Sequence, residues 1–272
     1  MKKISKHLLI LKRRINQRSE LKKLSLIKNK TLQNVLNAFE STKTNSHQKE
    51  DIASFFKCES YRDKLTTNNT EITYEVFLQN KTALVRDICK KAASTKKWCQ
   101  FLYHLVKNTD NPKVLEIGTN LGISGSYMLE AMEGTNGKLI TMEGLPQLCE
   151  ISAKQFSTIV PMSKFEIVQG LYDKTFPKII EQGVEYNLIF IDGNHKKEPT
   201  LEYFNALKSI IGQTAIFVFD DIHWSKGMEE AWKVIKNDQD VNFSIDMYEQ
   251  GIVVIDKSEL MHKKQFNLHL AY

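Results

Sequence analysis

The sequence predicts an α/β fold: a doubly wound, mostly parallel sheet of seven strands with a C-terminal antiparallel hairpin, preceded by N-terminal helices. Between residues 113 and 256, short apolar runs alternate with amphipathic segments over short connections, which is typical of a parallel sheet covered on both faces. The last two runs are joined only by Glu249-Gln250-Gly251. This connection is too short for a parallel crossover and therefore predicts a hairpin.

The individual elements follow from the period of the apolar residues. Apolar runs that end in turn residues predict strands at 113–117, 138–143, 164–168, 186–191, 214–220, 242–247 and 251–256. Helical spacing predicts helices between them at 123–133, 147–159, 174–182, 198–211 and 226–237. Ahead of the first strand, helical spacing extends from Val76 to Asn108, and Asn111-Pro112 ends it.

Length and composition suggest two parts of unequal size. A chain of 272 residues with 42% apolar content can build one full α/β domain and an added helical segment. Residues 41–75 are rich in Ser, Thr, Asn, Lys and Glu, which predicts a poorly packed linker around one short helix near 52–56. We therefore divide the chain into a basic helical extension with its linker, residues 1–75, and a main domain, residues 76–272. The four cysteines form no Cys-x-x-Cys pair, which predicts a reducing, cytoplasmic location.

The basic charge is concentrated at one end of the chain. Residues 1–30 hold eleven Lys or Arg and one acid, a net charge of +10, whereas the remainder carries −4. Ile4, Leu8, Leu11 and Ile15 recur at helical spacing among these cations and predict an amphipathic helix. Three partners remain open for its apolar stripe: the same protein or a second copy in a homodimer, a peripheral contact with the inner membrane surface, and nucleic acid, which is the least favoured. No apolar run has the length of a membrane span.

A glycine-containing loop follows the first strand of the main domain. It has the pattern Glu116-x-Gly118-x-x-x-Gly122-x-Ser124. Glycine lets a ligand approach the backbone, and the amides that open the next helix favour an anionic group. A dinucleotide fingerprint would have glycine where Asn120 stands, so a pyrophosphate ligand is disfavoured. The alternative to a ligand site is a tight turn that packs a helix against the sheet.

This pattern resembles the first motif of class I S-adenosylmethionine-dependent methyltransferases, which have a Rossmann-like fold. Within that class it resembles the cation-dependent O-methyltransferases of the catechol and caffeoyl-CoA type, over about residues 92–256. The resemblance implies that S-adenosylmethionine is the cofactor. It implies that Ser124 and nearby amides hold the methionine carboxylate, that Glu143 accepts hydrogen bonds from the ribose, and that the adenine lies near Tyr172. The implied cofactor-binding set is Glu116, Gly118, Thr119, Gly122, Ser124, Glu143, Gly170, Tyr172 and Asp192.

Three further acids end the fourth and fifth predicted strands: Asp192, Asp220 and Asp221. Carboxylates buried together repel one another, and a divalent cation relieves the repulsion; Mg²⁺ suits these oxygen donors, with Mn²⁺ and Ca²⁺ as alternatives. The three positions match the metal triad of the resembled O-methyltransferases. Asp221 departs from that triad, which often has Asn there. The alternative is that Asp220 and Asp221 only cap the following turn and helix.

The candidate catalytic base is His195, with Lys196 beside it. His195 stands three residues after Asp192, where the resembled enzymes often carry Lys. Histidine titrates near neutrality, so it can remove the proton of an acceptor hydroxyl without a large pKa shift. The alternative is a histidine that caps the next helix. The reaction implied by the resemblance is methyl transfer to a hydroxyl of a small molecule, either catechol-like or another natural product.

Four other functions stay open on the sequence. A metal-independent methyltransferase would act on a sugar, a lipid or an amine. A nucleic-acid methyltransferase is opposed by Asp192-Gly193-Asn194-His195, which departs from the Pro-Pro-aromatic motif of amino-methylating enzymes. A nicotinamide oxidoreductase is opposed by the missing glycine. A noncatalytic Rossmann-like binding protein would be tethered to a membrane or a partner by its basic helix. The sequence does not identify the methyl acceptor.

Overall fold

The computed structural model of the protein describes residues 2–259 and 263–271. The strands are β1 Glu71–Thr73, β2 Thr82–Leu84, β3 Lys113–Ile117, β4 Lys138–Glu143, β5 Phe165–Gln169, β6 Leu188–Ile191, β7 Thr214–Phe219, β8 Phe243–Asp246, β9 Gly251–Asp256 and β10 Lys264–Asn267. The α-helices are α1 Lys2–Ser25, α2 Lys30–Thr44, α3 Lys49–Thr66, α4 Val85–Ala92, α5 Lys96–Lys107, α6 Ile123–Met132, α7 Pro146–Phe156, α8 Tyr172–Glu181, α9 Lys197–Ile210 and α10 Lys226–Ile235.

The main sheet has eight strands in the order β10-β8-β9-β7-β6-β3-β4-β5. All neighbouring strands are parallel except β9, which runs antiparallel to both β7 and β8. The strand β3 has β4 on one side and β6 on the other, so the order of the strands reverses there. In an open α/β sheet, ligands bind beyond the carboxyl ends of the strands at such a reversal.

Alternate residues of each central strand are buried on opposite faces of the sheet. In β3, Val114 belongs to the cluster formed with α2, α3, α5 and α6, whereas Leu115 belongs to the cluster formed with α8, α9 and α10. Both faces are covered, which explains why the strands read as nearly continuous apolar runs.

The predicted α/β class and its closing hairpin are confirmed, with strand ends within two residues and helix ends within three. The predicted number of seven strands was wrong. Strand β10 adds an eighth, parallel to β8 at the edge of the sheet. It was missed because its only buried residue is Phe266, so it lacks the apolar run by which the other strands were found.

The predicted linker at residues 41–75 was wrong apart from its short helix near 52–56, which lies within α3. Residues 41–44 end α2 and Lys49–Thr66 form α3, and Phe39, Phe55 and Leu65 of these helices are buried in the same core as α5 and α6. The hairpin of β1 and β2 follows, with a 3₁₀ turn at Glu75–Phe77, and α-helix begins again at Val85. The division of the chain at residue 75 stays a prediction, although the core is continuous across it.

Helix α1 confirms the predicted N-terminal helix, and its predicted apolar stripe does not pack on the rest of the protein. Leu8, Leu11 and Ile15 are 61%, 53% and 71% exposed, and the side chain of Ile4 lies outside the described part of the chain. The face that packs on the protein instead includes Arg13, whose side chain is buried against β8. Within the described residues, no helix is both long and apolar enough to cross a membrane.

Candidate active site

A cavity of about 1240 Å³ opens at the carboxyl ends of the central strands. Its inner half, at the ends of β3 to β6, is lined by Gly118, Asn120, Glu143, Gly170, Tyr172 and Asp192. Its outer half is lined by Lys6, Trp98, His195, His223, Trp224 and Tyr248. The inner half therefore collects five residues of the implied cofactor-binding set (Gly118, Glu143, Gly170, Tyr172 and Asp192), whereas much of the outer half comes from other segments.

The loop after β3 requires glycine at its first position. Gly118 has φ +115°, and a Cβ added there would lie 2.4 Å from the carbonyl oxygen of Asp192. The amides of Gly118 and Thr119 both donate to the carbonyl oxygen of Met142 in β4, at 3.1 and 3.0 Å. The loop is thereby held against the ends of the neighbouring strands β4 and β6, and its backbone borders the cavity.

Glu116 and Ser124 lie behind this loop and do not line the cavity. Glu116 is fully buried and accepts hydrogen bonds from the hydroxyls of Ser124 and Thr141. Thr119 also bonds Thr141, with 2.6 Å between the hydroxyl oxygens. Burial raises the pKa of Glu116 to about 7. This hydrogen-bonded cluster supports the loop from behind. Ser124 is therefore in a supporting position, whereas the resemblance implied that it contacts the ligand directly.

Gly122 likewise stands behind the loop, as the residue that precedes α6. Its φ is +70°, and an added Cβ would lie 2.9 Å from Cε1 of Phe156. Glycine here lets α6 start close to α7, which directs the opening turn of the helix towards the loop.

Glu143 faces the inner half of the cavity from the end of β4. Its Oε2 accepts the amide of Asn120 at 2.9 Å, and its Oε1 accepts the amide of Leu145 at 2.9 Å. Burial raises the pKa of Glu143. The two amides fix the carboxylate, and each of its oxygens retains a lone pair for a ligand hydroxyl.

Asn120 was singled out in the sequence only as a departure from glycine. Its φ is +50°, which asparagine tolerates better than most residues. Its Oδ1 is buried and has no hydrogen-bond partner within the described part of the chain. A buried acceptor of this kind costs free energy unless a ligand or water satisfies it, so Asn120 is a candidate ligand contact that the sequence analysis missed.

Gly170 and Tyr172 form the wall beyond β5. Gly170 has φ +139°, and its amide donates to the carbonyl oxygen of Glu143 at 2.8 Å. The ring of Tyr172 packs so closely on Gly193 that a Cβ there would lie 2.8 Å from Cε2 of the tyrosine. The phenol ring thus has a fixed place at the edge of the inner half.

The three predicted metal-binding acids converge where the two halves of the cavity meet. Asp192 and Asp220 are close enough for the charge of Asp220 to act on the carboxyl group of Asp192. Burial, followed by repulsion from the neighbouring carboxylates, raises the pKa of both acids. Gln250 donates to Oδ1 of Asp220 at 2.9 Å. Asp221 stands beside them at φ +55°.

His195 lies between two of these acids. Its Nε2 is 3.6 Å from Oδ1 of Asp192, and its Nδ1 is 3.8 Å from Oδ2 of Asp221. Burial lowers the pKa of His195, while the charge of Asp221 acts in the opposite direction. The residue has φ +36°, an uncommon conformation for a non-glycine residue. The neighbouring Lys196 is exposed and does not line the cavity, so of the two predicted bases only His195 faces it.

The acids provide the hard oxygen donors that Mg²⁺ and similar cations prefer. Among residues 2–259 and 263–271, however, no group of three or more His, Cys, Asp or Glu side chains is arranged to hold a metal ion. The donor chemistry of Asp192, Asp220 and Asp221 fits a divalent cation, whereas their arrangement is not that of a formed site.

The stretch that builds most of the inner half, residues 115–222, matches a family described as a methyltransferase domain. Residues 115–222 are thus similar to a methyltransferase domain. The chain is similar to catechol O-methyltransferase from Niastella koreensis, with 29% identity over 124 residues, or 45% of this chain and 55% of that protein. It is also similar to O-methyltransferase ankF from Aspergillus thermomutatus, with 27% identity over 111 residues, 40% of this chain and 45% of that protein. The chain spans about half the length of these curated relatives.

Solved structures share the fold of the methyltransferase domain. The O-methyltransferase TomG from Streptomyces achromogenes, solved in complex with SAM, has a TM-score of 0.53 and 20% identity, and the match covers 61% of this chain and 82% of TomG. The predicted resemblance to O-methyltransferases and the Rossmann-like fold are thereby confirmed.

Part of the outer half comes from outside residues 115–222. The Nζ atom of Lys6, in α1, lies 4.8 Å from the ring centroid of Tyr248. That ring stacks on the imidazole of His223, with 4.9 Å between centroids. Next to Tyr248, Oε2 of Glu249 accepts a hydrogen bond from Nε1 of Trp98 at 2.5 Å. The sequence analysis did not identify Lys6 or Tyr248, because nothing local indicates that α1 and the β8–β9 turn meet at the cavity.

Proposed function

We propose that the protein transfers a methyl group from S-adenosylmethionine to a hydroxyl of a small-molecule acceptor. The observation that carries the proposal is the carboxylate of Glu143, which faces the cavity beside the glycine loop, next to Asn120 with its buried and unpartnered Oδ1. The match to a methyltransferase domain and the similarity to a catechol O-methyltransferase and another O-methyltransferase support the same reaction.

The inner half of the cavity has the polarity that S-adenosylmethionine requires. The carboxylate of Glu143 would accept hydrogen bonds from the two ribose hydroxyls. The Oδ1 of Asn120 would accept from the ammonium group of the methionine part, close to the loop at Gly118. Gly170 and Tyr172 would border the adenine, whose flat face suits an aromatic wall.

The outer half suits an aromatic acceptor. Trp98, Trp224 and Tyr248 offer ring surfaces, and His195 stands where the two halves of the cavity meet. A flat phenol or catechol would bury its apolar face on these rings and direct a hydroxyl towards the histidine.

The transfer needs a base and an in-line approach. The acceptor oxygen forms a bond to the methyl carbon while the bond from that carbon to the sulfonium sulfur breaks, and the hydroxyl proton passes to His195. Burial keeps this imidazole in the neutral form that can accept a proton, and Asp221, 3.8 Å from Nδ1, would stabilise the imidazolium that results. Because the sulfonium loses its charge in the displacement, a dry and preorganised cavity favours the reaction.

A divalent cation, preferably Mg²⁺, is the second part of the proposal. Asp192, Asp220 and Asp221 would hold it. When bound, it would lower the pKa of the acceptor hydroxyl and offset the repulsion among the three acids.

A metal-independent methyl transfer is the second candidate function. It is favoured by the position of His195 between Asp192 and Asp221, where an imidazolium would itself balance the acidic charge. Turnover that survives EDTA would favour this candidate, and turnover that EDTA abolishes and Mg²⁺ restores would favour the cation.

The reaction is tested by incubating the protein with S-adenosylmethionine and a panel of catechols, phenols, sugars and amines. Mass spectrometry should detect S-adenosylhomocysteine together with a singly methylated hydroxyl product. The Glu143→Gln variant should lose roughly thirtyfold in cofactor affinity, since it loses charge-assisted hydrogen bonds. The matched control is Glu133→Gln, on an exposed residue at the far end of α6. Methylation confined to amines, or equal activity of the two variants, would contradict the proposal.

A further inference from the structure

The outward face of α1 carries an apolar stripe that the fold leaves exposed. Leu8, Leu11 and Ile15 follow one another at three- and four-residue spacing and therefore lie on one side of the helix. The opposite side, with Ile10 and Leu24, is buried against the protein. The stripe is consequently not needed for the packing of α1.

Exposed cations surround this stripe. Lys12, Arg18 and Lys22 lie within about a quarter-turn of it on either side, and all three are exposed. The only acid in the first 30 residues is Glu20, which is half-buried and ion-paired with Lys23 at 2.8 Å. The outward face of α1 is therefore apolar at its centre and positive at its margins.

We propose that this face binds the surface of a membrane that contains anionic lipids. A helix lying in the plane of the interface buries its apolar stripe at the boundary of the acyl chains while its Lys and Arg side chains contact the lipid phosphates. Leu8, Leu11 and Ile15 supply the stripe, and Lys12, Arg18 and Lys22 supply the charges.

Two other occupants fit this face less well. In a two-fold homodimer the same face would meet itself, and its cations would be brought against like charges. A nucleic acid would meet three apolar side chains at the centre of the contact, where its phosphates need cations. A membrane surface satisfies both the apolar stripe and the positive margins.

The helix is mounted rigidly enough to act as a docking element. Arg13 pairs with Asp246 at 2.6 Å, and Oε1 of Gln17 accepts the amide of His269 at 2.8 Å. Because Lys6 of the same helix lines the cavity, docking would bring the membrane surface to within about one helix diameter, ~10 Å, of the cavity wall.

The proposal is tested by sedimenting the full-length protein with vesicles of phosphatidylcholine alone and of phosphatidylcholine mixed with phosphatidylglycerol. We expect binding to the anionic vesicles that weakens as the salt concentration rises. The double variants Leu11→Ser with Ile15→Ser, and Lys12→Glu with Arg18→Glu, should each lower the partition coefficient roughly tenfold or more.

Met162→Ser is the matched control, because Met162 is 76% exposed outside α1 and should leave binding unchanged. All of the altered side chains are exposed, so circular dichroism and urea midpoints should stay at wild-type values. The proposal is overturned by failure to bind anionic vesicles or by equal binding of the α1 variants and the control. It is also overturned if the α1 variants convert a dimer to a monomer in light scattering, or if the wild type binds duplex DNA and leaves the vesicles unbound.

Discussion

Arg13 and Asp246 form a buried ion pair between residues 233 positions apart in the chain. The Nη2 atom of Arg13 lies 2.6 Å from Oδ1 of Asp246, and Nη1 donates to the carbonyl oxygen of the same residue at 3.2 Å. Asp246 also accepts hydrogen bonds from His223 and Trp232. Burial alone would raise the pKa of Asp246, but the hydrogen bond from His223 and the charge of Arg13 hold that pKa well below its usual range. This pair fastens α1 beside the outer half of the cavity.

Replacing Arg13 with alanine should lower the free energy of unfolding by about 3 kcal/mol. The substitution leaves the carboxylate of Asp246 buried without its cation, which costs more than the net strength of the pair. Urea unfolding measures the change. Arg14→Ala is the matched control, because Arg14 is exposed and its loss should change stability by less than about 0.5 kcal/mol. Equal effects of the two variants would show that the pair does not hold α1.

Replacing Gly118 with alanine should weaken S-adenosylhomocysteine binding by roughly tenfold or more. The added methyl group would lie 2.4 Å from the carbonyl oxygen of Asp192, so the loop must move away from β6. Gly134→Ala is the control. The φ of Gly134 is also positive, +75°, but no atom lies within 4 Å of the added Cβ. The Gly134 variant should therefore lose about 1 kcal/mol of stability and leave binding unchanged. Calorimetric titration compares the two, and unaltered affinity in the Gly118 variant would count against a ligand at this loop.

His104 should make the protein less stable as the pH falls from 7 to 5. Burial lowers its pKa from 6.5 to about 4, so between these values the unfolded chain binds a proton that the folded chain does not. Its Nε2 also lies 3.0 Å from Nδ1 of His47, a hydrogen bond that requires one ring to be an acceptor. The resulting decrease in the free energy of unfolding is about 1 to 2 kcal/mol at pH 5, and it disappears above pH 6.5.

Urea midpoints at pH 7 and pH 5 test this dependence. The His104→Gln variant should lose less stability between the two pH values than the wild type does. Buried groups elsewhere titrate equally in both proteins, so only the difference between them reports on His104. An identical loss in wild type and variant would show that His104 does not contribute.

Substitutions of His195 and Lys196 distinguish a base that faces the cavity from its exposed neighbour. His195→Gln should reduce kcat by roughly 100-fold or more, with the S-adenosylmethionine affinity retained, because a general base contributes to turnover and not to cofactor binding. Lys196→Gln should stay within about twofold of the wild type, since a surface change away from the cavity removes no contact with the reactants. Steady-state kinetics with an acceptor from the panel measures both. A loss confined to the Lys196 variant would reverse the assignment.

The central strands could be predicted closely because they are buried on both faces. Residues such as Val114 and Leu115 are both apolar, and an acid or a glycine marks the end of each run, as at Glu143. The order of acids and glycines along the chain therefore indicated which residues would gather at the carboxyl edge of the sheet.

The errors arose where tertiary contacts outweighed local pattern. The end of α2 and most of α3 were predicted as a linker because of their Ser, Thr, Lys and Glu, yet Phe55 and Leu65 bury α3 in the main core. The stripe of Leu8, Leu11 and Ile15 left the partner of α1 open, and the ion pair of Arg13 with Asp246 in β8 determines which face is inward. A sequence pattern cannot indicate a partner that is more than two hundred residues away.

The most direct test of the account is a calorimetric titration of S-adenosylhomocysteine into the protein, with Mg²⁺ and then with EDTA, and with NADH as a control ligand. We predict binding of S-adenosylhomocysteine in the micromolar range or tighter and no binding of NADH. Stronger binding with Mg²⁺ than with EDTA would add the cation to the site. No binding of S-adenosylhomocysteine in either buffer, or binding of NADH in its place, would contradict the assignment of the cavity to a methyl donor.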